Sequence, residues 1–243
     1  MTLLIDIGNH SIKWALRPAA GAGRFPHVAG DIDAHLARCW SDLPAPQRVL
    51  IASVAAPGIE LQVSRWMRQR WTVDPISVRP LAQGYGVRNG YTDPAQLGVD
   101  RWLALVAVRN RYRGAACIVD CGTAMTVDGL SPEGEHLGGL ICPGVEAMRQ
   151  ALAVHTHAVR EGAAGAPVLF ARTTRDGVDG GCRHALAACA DRAAETLARR
   201  YPVPRFIITG GAAGQIGPLL EHRFEQVPDL VLSGLAIIGG YDS

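Results

Sequence analysis

The chain opens with MTLLIDIGNHSIKWAL (residues 1–16), in which two short apolar runs flank a turn-like segment. The first run ends in Asp6, Gly8 and Asn9 follow it, and the second run begins at Ile12. Short apolar runs separated by glycine and asparagine predict two strands joined as a hairpin. Because loops at strand ends often carry binding groups, the carboxylate at this position is a candidate contact for a bound molecule.

The same pattern recurs in ACIVDCGTAMTVDGL (residues 116–130), where an apolar run ends in Asp120, a Gly-Thr turn follows and a second run begins. A recurrence at this distance predicts an internal repeat at the scale of a domain. We therefore predict an N-terminal domain over residues 1–114 and a C-terminal domain over residues 115–243.

The rest of the chain mixes strand-like and helix-like segments, which indicates an α/β protein. Strands are predicted at 2–7, 12–17, 48–54, 116–121, 125–130, 137–142, 205–210 and 229–238. Helices are predicted at 59–71, 98–112, 145–153, 178–200 and 212–222, and residues 18–26 are predicted as a loop.

Composition excludes several classes of protein. Hydrophobic residues make up 48% of the chain, enough for a substantial core, and the net charge of +2 argues against a dedicated nucleic-acid binder. The sequence has no apolar run long enough to cross a membrane and no basic segment before the first apolar run, so we expect neither a membrane span nor a signal peptide. We expect a cytoplasmic protein.

The cysteines and histidines give no clear metal site. None of the six cysteines forms a C-x-x-C pair, so we expect buried structural thiols. His155 and His157 would share one face of a strand and could chelate a metal, but the sequence places no third ligand beside them.

Both turn segments carry the groups that bind phosphate. Glycine lets a ligand approach the backbone, successive N–H groups form an anion-binding nest, and an aspartate can hold a cation that neutralises phosphate charge. Lys13 is the only lysine in the chain, which suggests a need for a compact ammonium group there, although chance is an alternative. One side of the predicted phosphate clamp consists of Asp6, Gly8, Asn9, Ser11 and Lys13, and the other of Asp120, Gly122, Thr123 and Thr126.

Four motifs in this order resemble the type III pantothenate kinases, within the acetate and sugar kinase, Hsp70 and actin superfamily. They are D-x-G-N-x-x-x-K at 6–13, N-G-Y followed by G-x-D-R-W within 89–102, D-x-G-T-A-x-T-x-D at 120–128, and G-G-x-I-x-P-G at 138–144. The resemblance implies two RNase H-like domains, as in actin-like ATPases, with a nucleotide cleft between them.

The resemblance also implies the activity, which is ATP-dependent phosphorylation of pantothenate to 4′-phosphopantothenate at the start of coenzyme A synthesis. It implies ATP, Mg²⁺ near Asp6, a monovalent cation (K⁺ or NH₄⁺) at Asp120, and a homodimer. The ATP-binding residues it implies are Asp6, Ile7, Gly8, Asn9, His10, Ser11, Ile12, Lys13 and Thr123.

For the substrate, the resemblance assigns Asp100 as the proton acceptor. The residues implied to hold pantothenate are Tyr91, Gly98, Val99, Asp100, Arg101 and Thr174. Without the motif, Asp100 and Arg101 would be interpreted as a helix N-terminal acid beside a surface arginine, and Tyr91 as a half-buried aromatic residue. The local match around Thr174 is loose, and Thr173 is its neighbour.

One position departs from the family pattern. Family members usually carry Thr or Ser where this chain has His10. The hydroxyl here is at Ser11, which strand alternation would place on the opposite face. Two alternatives to an active pantothenate kinase therefore stay open. One is a catalytically weak family member that acts as a regulatory or transcription accessory protein, and the other is a different kinase or phosphatase of the same superfamily.

Overall fold

A computed structural model describes residues 1–19, 21–27, 32–156 and 165–241. The chain divides into two compact units, unit 1 with Met1–Tyr112 and Leu230–Ser243 and unit 2 with Arg113–Asp229. These units differ from the predicted domains at the C-terminal end, because the last segment packs with unit 1. No helix in the described ranges is long and apolar enough to cross a membrane.

Unit 1 combines one five-stranded sheet, a two-stranded ribbon and four helices within its described part. Its elements are β1 (Thr2–Ile7), β2 (Ser11–Arg17), β3 (Gly21–Pro26), α1 (Ile32–Trp40), β4 (Arg48–Ser53), α2 (Pro57–Trp71), β5 (Ile76–Ser77), β6 (Gln83–Gly84), β7 (Val87–Arg88), α3 (Val99–Arg111) and, from the C-terminal segment, the helix Leu230–Ile238. A short 3₁₀ helix, Pro94–Gln96, precedes α3.

Unit 2 has a second five-stranded sheet, with helices packed against it. Its elements are β8 (Ala116–Cys121), β9 (Ala124–Leu130), β10 (His136–Pro143), α4 (Val145–His155), α5 (Thr174–Arg200), β11 (Arg205–Thr209), α6 (Ala213–Ile216) and β12 (Glu225–Gln226). The helix Leu230–Ile238 of unit 1 follows these elements in the chain and is called α7. His157 lies outside the described residues. His155 is the last residue of α4, so it does not lie on a strand as the possible metal chelation by His155 and His157 required.

The two large sheets have the same topology. Their strand orders are β3-β2-β1-β4-β5 and β10-β9-β8-β11-β12. In each sheet the first two pairings are antiparallel and the last two are parallel. The internal repeat predicted from the two aspartate-glycine segments is therefore present in the fold. One segment joins β1 to β2, and the other joins β8 to β9.

The prediction of a strand at 229–238 was wrong, because these residues form α7. A short run that is apolar throughout does not distinguish a buried strand from a buried helix, and tertiary packing decides between them. Helix α7 packs against α3 and against strands β1, β2 and β4. A Cβ on Gly234 would lie 2.3 Å from the carbonyl oxygen of Leu103, so the two helix backbones approach too closely for any side chain there.

Gly234→Ala is expected to lower the free energy of unfolding by about 1–3 kcal/mol, because the added methyl group would meet backbone atoms that have no room to move. Urea denaturation would measure the change. The matched control is Gly58→Ala in α2, where a Cβ would meet nothing within 4 Å. That variant should be as stable as the wild type or slightly more stable, and an equal loss in both variants would contradict the close α3–α7 contact.

The structure also differs from the prediction of a loop at 18–26. Residues 21–26, which were predicted as part of a loop, form β3 and pair with β2. The helix α1 was not predicted at all, and α6 is much shorter than the predicted 212–222 helix. Residues 18–26 are rich in glycine and alanine and include no β-branched residue that would indicate a strand. The conformation of β3 is therefore fixed by its pairing with the neighbouring strand β2.

Helices α1 and α2 cover one face of the first sheet through a core rich in tryptophan. Trp14, Trp40, Trp66 and Trp71 form a chain of edge-to-face and tilted ring contacts, with centroids 5.2–6.3 Å apart. Because Trp14 belongs to β2, its neighbour Lys13 points to the opposite face of the sheet. The core on one face thereby orients the polar residues of β2 toward the other.

Candidate functional site

The first hairpin (residues 6–13) joins β1 to β2 in unit 1. Asp6 lies directly opposite Lys13 across the two strands, and Lys13 lies opposite Arg24 on β3. Directly opposed residues in an antiparallel sheet share one face, so this row places a carboxylate and two cationic side chains together. A row of this kind can contact both a phosphate group and its counterion.

The turn of this hairpin runs through Gly8, Asn9 and His10. The Gly8 amide donates to the Ser11 carbonyl oxygen at 3.1 Å, and the side chains of Asn9 and His10 are exposed. His10 lies in the turn and not in β2, which begins at Ser11, so strand alternation does not apply between the two positions. The Ser11 hydroxyl instead accepts a hydrogen bond from Arg24 Nε at 3.1 Å.

A second group of predicted residues meets at the start of α3. Arg101 is only 4% exposed, and its Nη1 donates to the Tyr91 hydroxyl at 2.6 Å. The guanidinium carbon also lies 5.4 Å from the centre of the Tyr91 ring. The interpretation of Arg101 as a surface arginine is therefore wrong, because its guanidinium is buried and held against the Tyr91 side chain. A guanidinium fixed in this way can bind an anion.

Asn89 fixes Tyr91 in this position, and the sequence analysis did not assign it a role. The Asn89 carboxamide oxygen accepts from the Tyr91 amide at 3.0 Å, and its nitrogen donates to the carbonyl oxygens of Leu81 and Pro94 at 3.3 and 3.2 Å. Asn89 is 9% exposed, and its side chain joins three backbone segments. The first residue of the N-G-Y motif is thus a positioning residue for the third.

Asp100 is the second residue of α3, and its conformation depends on Gly98. Asp100 Oδ1 accepts a hydrogen bond from the Arg101 amide at 2.8 Å, and a Cβ on Gly98 would lie 2.5 Å from that same oxygen. Any side chain at position 98 would push the carboxylate aside. The glycine and the aspartate of G-x-D-R therefore form one geometric unit, at a helix N-terminus that favours negative charge.

The second hairpin (residues 120–128) joins β8 to β9 in unit 2. Asp120 lies opposite Thr126 on β9 and Thr209 on β11, so three side chains with oxygen atoms share one row. The turn is one residue shorter than in the first hairpin, and the Gly122 amide donates to the Ala124 carbonyl oxygen at 3.2 Å. Thr123 is exposed at this turn. The sequence analysis did not assign Thr209 a role.

The loop after β11 closes on Asp120. Gly210 has a φ of +91°, and a Cβ there would lie 2.3 Å from Asp120 Oδ1. The pKa of the Cys121 thiol is raised to about 12, mainly by burial and to a smaller extent by the nearby charge of Asp120. Burial also raises the pKa of Cys117 to about 12. Both thiols stay protonated at neutral pH. The prediction of buried cysteines is confirmed for Cys117, Cys121 and Cys182, whereas Cys39, Cys142 and Cys189 are only partly buried.

Thr174 begins α5 and is exposed, while Thr173 caps the helix. The Thr173 hydroxyl accepts from the Asp176 amide at 3.1 Å and donates to the Asp176 carboxylate at 2.7 Å. Since Thr173 is occupied by this cap, Thr174 is the threonine of the pair that is available to a ligand. It borders an apolar groove of about 610 Å³ between α4 and α5.

The structure brings Tyr91, Gly98, Asp100 and Arg101 together in unit 1, which also holds the first hairpin. Val99, the residue between Gly98 and Asp100 in the chain, is buried, so its side chain contributes to packing. Asp120, Thr123 and Thr174 lie in unit 2. Within the described ranges, no group of three histidine, cysteine or acidic side chains could hold a metal ion.

Two kinds of comparison with known proteins match most of the chain and agree on one family. A family model described as type III pantothenate kinase matches residues 2–196. A type III pantothenate kinase from Nitrosococcus oceani is 42% identical over 246 residues, which cover 97% of this chain and 92% of that protein.

Two solved structures share the fold at low identity. A Baf family transcriptional activator from Campylobacter jejuni has a TM-score of 0.59 at 18% identity, covering 97% of this chain and 96% of that one. A non-polymerisable ParM mutant has a TM-score of 0.53 at 8% identity, covering 98% of both chains. These likenesses agree with an α/β protein made of two actin-like domains. The family match and the 42% identity, together with the G-x-D-R geometry, show that the chain belongs to the type III pantothenate kinase family.

Proposed function

We propose that this protein transfers the γ-phosphoryl group of ATP to the primary hydroxyl of pantothenate, giving 4′-phosphopantothenate and ADP. This reaction begins coenzyme A biosynthesis. The single observation that carries the proposal is the joined arrangement of Tyr91, Asp100 and Arg101, in a chain of the type III pantothenate kinase family. It supplies a fixed cation and a carboxylate next to each other, which suits a substrate with an acid at one end and an alcohol at the other.

In this proposal Arg101 binds the pantothenate carboxylate. A guanidinium has five N–H donors in a planar fork, enough to serve the Tyr91 hydroxyl and a carboxylate together. Burial of Arg101 strengthens the attraction, because little water competes for the charge. Tyr91 holds the guanidinium in place and offers its ring as an apolar surface.

Asp100 orients the substrate hydroxyl and accepts its proton. An aspartate carboxylate is a far weaker base than an alkoxide, so it does not remove the proton before attack begins. It takes the proton as the bond between the hydroxyl oxygen and phosphorus forms. Phosphoryl transfer depends mainly on in-line positioning and on neutralising phosphate charge, and Lys13 in the first hairpin supplies part of that charge.

Cations complete the proposed site. Mg²⁺ is usually bound through one or two carboxylates together with substrate phosphates, which fits Asp6 and the absence of a three-carboxylate cluster in the described ranges. When bound, Mg²⁺ neutralises phosphate charge. For a monovalent cation (K⁺ or NH₄⁺) the row of Asp120, Thr126 and Thr209 supplies a carboxylate and hydroxyl oxygens in unit 2. We assign Thr123 in the adjacent turn a contact with ATP.

We also propose that the enzyme is a cytoplasmic homodimer in which Thr174 contributes to the pantothenate site. Exposed apolar side chains support a dimer surface on α4 and before α5. Leu152, Val154, Leu169 and Phe170 are 38%, 75%, 68% and 91% exposed. Light scattering would test the dimer.

The function itself is tested by ADP formation from ATP and Mg²⁺, measured with and without pantothenate. The proposal predicts ADP formation that depends on pantothenate. If folded protein bound Mg²⁺-ATP without turnover, the regulatory alternative would be favoured. The likeness to the Campylobacter jejuni transcriptional activator does not support that alternative, since 18% identity shows the fold alone.

Asp120→Ala is expected to abolish the response to potassium, because it removes the only carboxylate of the proposed cation row. The ratio of turnover in K⁺ to turnover in Na⁺ should fall to about one, as the remaining hydroxyls bind cations weakly without a charge. The control is Asp42→Ala, an exposed aspartate in unit 1. An unchanged potassium response in Asp120→Ala would exclude this cation site.

A further inference from the structure

Several carbonyl groups of the first hairpin turn accept hydrogen bonds from protein groups. The Ile7 carbonyl oxygen accepts from the Val54 amide at 3.0 Å, and the Ser11 carbonyl oxygen accepts from the Gly8 amide at 3.1 Å. An anion is bound by N–H groups and repelled by carbonyl oxygens, so a phosphate site needs these oxygens to be turned away. The carbonyl groups of Gly8 and His10, at the tip of the turn, are held by another residue.

His27, immediately after β3, holds two of them. Its backbone amide donates to the His10 carbonyl oxygen at 3.2 Å, and its Nε2 lies 2.6 Å from the Gly8 carbonyl oxygen. A carbonyl oxygen only accepts, so Nε2 carries the proton and donates. His27 is 9% exposed, which limits competition from water for this hydrogen bond.

This contact constrains the orientation of the Gly8–Asn9 peptide group. Gly8 has no Cβ, so rotation about its backbone bonds is less restricted than for any other residue. In a trans peptide the C=O and the following N–H point in opposite directions. When the Gly8 carbonyl points to His27, the Asn9 N–H must therefore point away from His27.

We propose that His27 is a positioning residue for ATP, whose imidazole keeps the Gly8–Asn9 peptide in the orientation that presents the Asn9 N–H to a phosphate oxygen. The inference rests on the proposed function, because it assigns a role within the same nucleotide site. His27 does not touch the nucleotide and acts through Gly8. Its place in the chain, after a segment without strand signals, explains why the sequence pattern did not identify it.

Three replacements of His27 separate this role from simple packing. His27→Leu removes the donor, His27→Gln places an amide N–H near the position of Nε2, and His27→Asn places it one methylene shorter. We expect the KM for ATP to rise about tenfold in His27→Leu and in His27→Asn, the usual effect of losing one hydrogen bond to a buried group. His27→Gln should restore a KM near the wild-type value. The KM for pantothenate should be unchanged in all three.

The matched control is His35→Leu, which makes the same replacement at a histidine that stacks on Phe25 and hydrogen-bonds Arg38. It should leave the KM for ATP unchanged. Equal KM values for ATP in the wild type and His27→Leu would overturn the proposal, as would failure of His27→Gln to differ from His27→Asn. If His27→Leu does not fold, the Gln and Asn pair decides the question.

Binding of Mg²⁺-ATP in the absence of pantothenate, followed by ligand-observed NMR, separates this proposal from the proposed function. Turnover can fail in the wild type while the dissociation constant for Mg²⁺-ATP still rises about tenfold in His27→Leu and returns in His27→Gln. That result would support the role of His27 and contradict the kinase assignment. Normal wild-type turnover with no difference in ATP binding among the variants would contradict the role of His27 alone.

Discussion

Asp100→Asn is expected to lower pantothenate-dependent turnover by about 100- to 10,000-fold, the range observed when a general base is removed. Asparagine has nearly the same shape, and its carbonyl oxygen can still accept the hydrogen bond from the Arg101 amide. The start of α3 should therefore be preserved. The amide cannot take up the proton of the substrate hydroxyl, so the loss should appear in kcat while Mg²⁺-ATP still binds.

Steady-state kinetics with both substrates, together with thermal unfolding, would measure this effect. The control Asp42→Asn makes the same chemical change at an exposed position in unit 1 and should have wild-type kinetics. Near-normal kcat in Asp100→Asn would contradict the assignment of Asp100 as the proton acceptor. A large fall in unfolding temperature would instead indicate a structural role at the start of α3.

Arg101→Lys is expected to lower kcat/KM for pantothenate by about 100-fold, mainly through KM, because lysine keeps the charge and loses the planar fork. The buried guanidinium donates to the Tyr91 hydroxyl and, in the proposed function, also binds the substrate carboxylate. A lysine ammonium is a single point of contact and cannot serve both partners in the same geometry. The KM for ATP should change little.

The alcohol analogue of pantothenate, in which the carboxylate is replaced by a hydroxymethyl group, makes this test specific. The wild type should discriminate strongly against the analogue, and Arg101→Lys should discriminate much less. Tyr91→Phe provides a milder comparison, since it removes only the hydroxyl that accepts from Arg101. If the wild type accepted both compounds equally well, Arg101 would not be the carboxylate-binding residue.

The repeated hairpins were predictable because their signals are local. An apolar run, a carboxylate and a glycine turn lie within ten residues, and strand pairing between neighbours follows from them. The sequence also placed Asp100 and Arg101 at the start of a helix, where α3 begins. Residues whose partners lie nearby in the chain, such as Gly98 beside Asp100, can be recognised in this way.

Other features depend on contacts between distant segments. The apolar run of α7 is compatible with a strand or a helix, and its close contact with α3 through Gly234 determines the outcome. Asn89 and His27 act through backbone amide and carbonyl groups that no sequence pattern specifies. Thr209 joins the row of Asp120 only because β11 pairs with β8. Such residues become visible once strand order and register are known.

Identification of the product by ³¹P NMR would show whether the chain phosphorylates pantothenate on its primary hydroxyl. After incubation with ATP, Mg²⁺ and pantothenate in potassium buffer, we expect a new phosphomonoester signal coupled to two equivalent or near-equivalent CH₂ protons, formed together with ADP. The same signal should be absent with Asp100→Asn over the same time. ADP accompanied only by inorganic phosphate, or no new phosphorus signal from folded protein, would contradict the account.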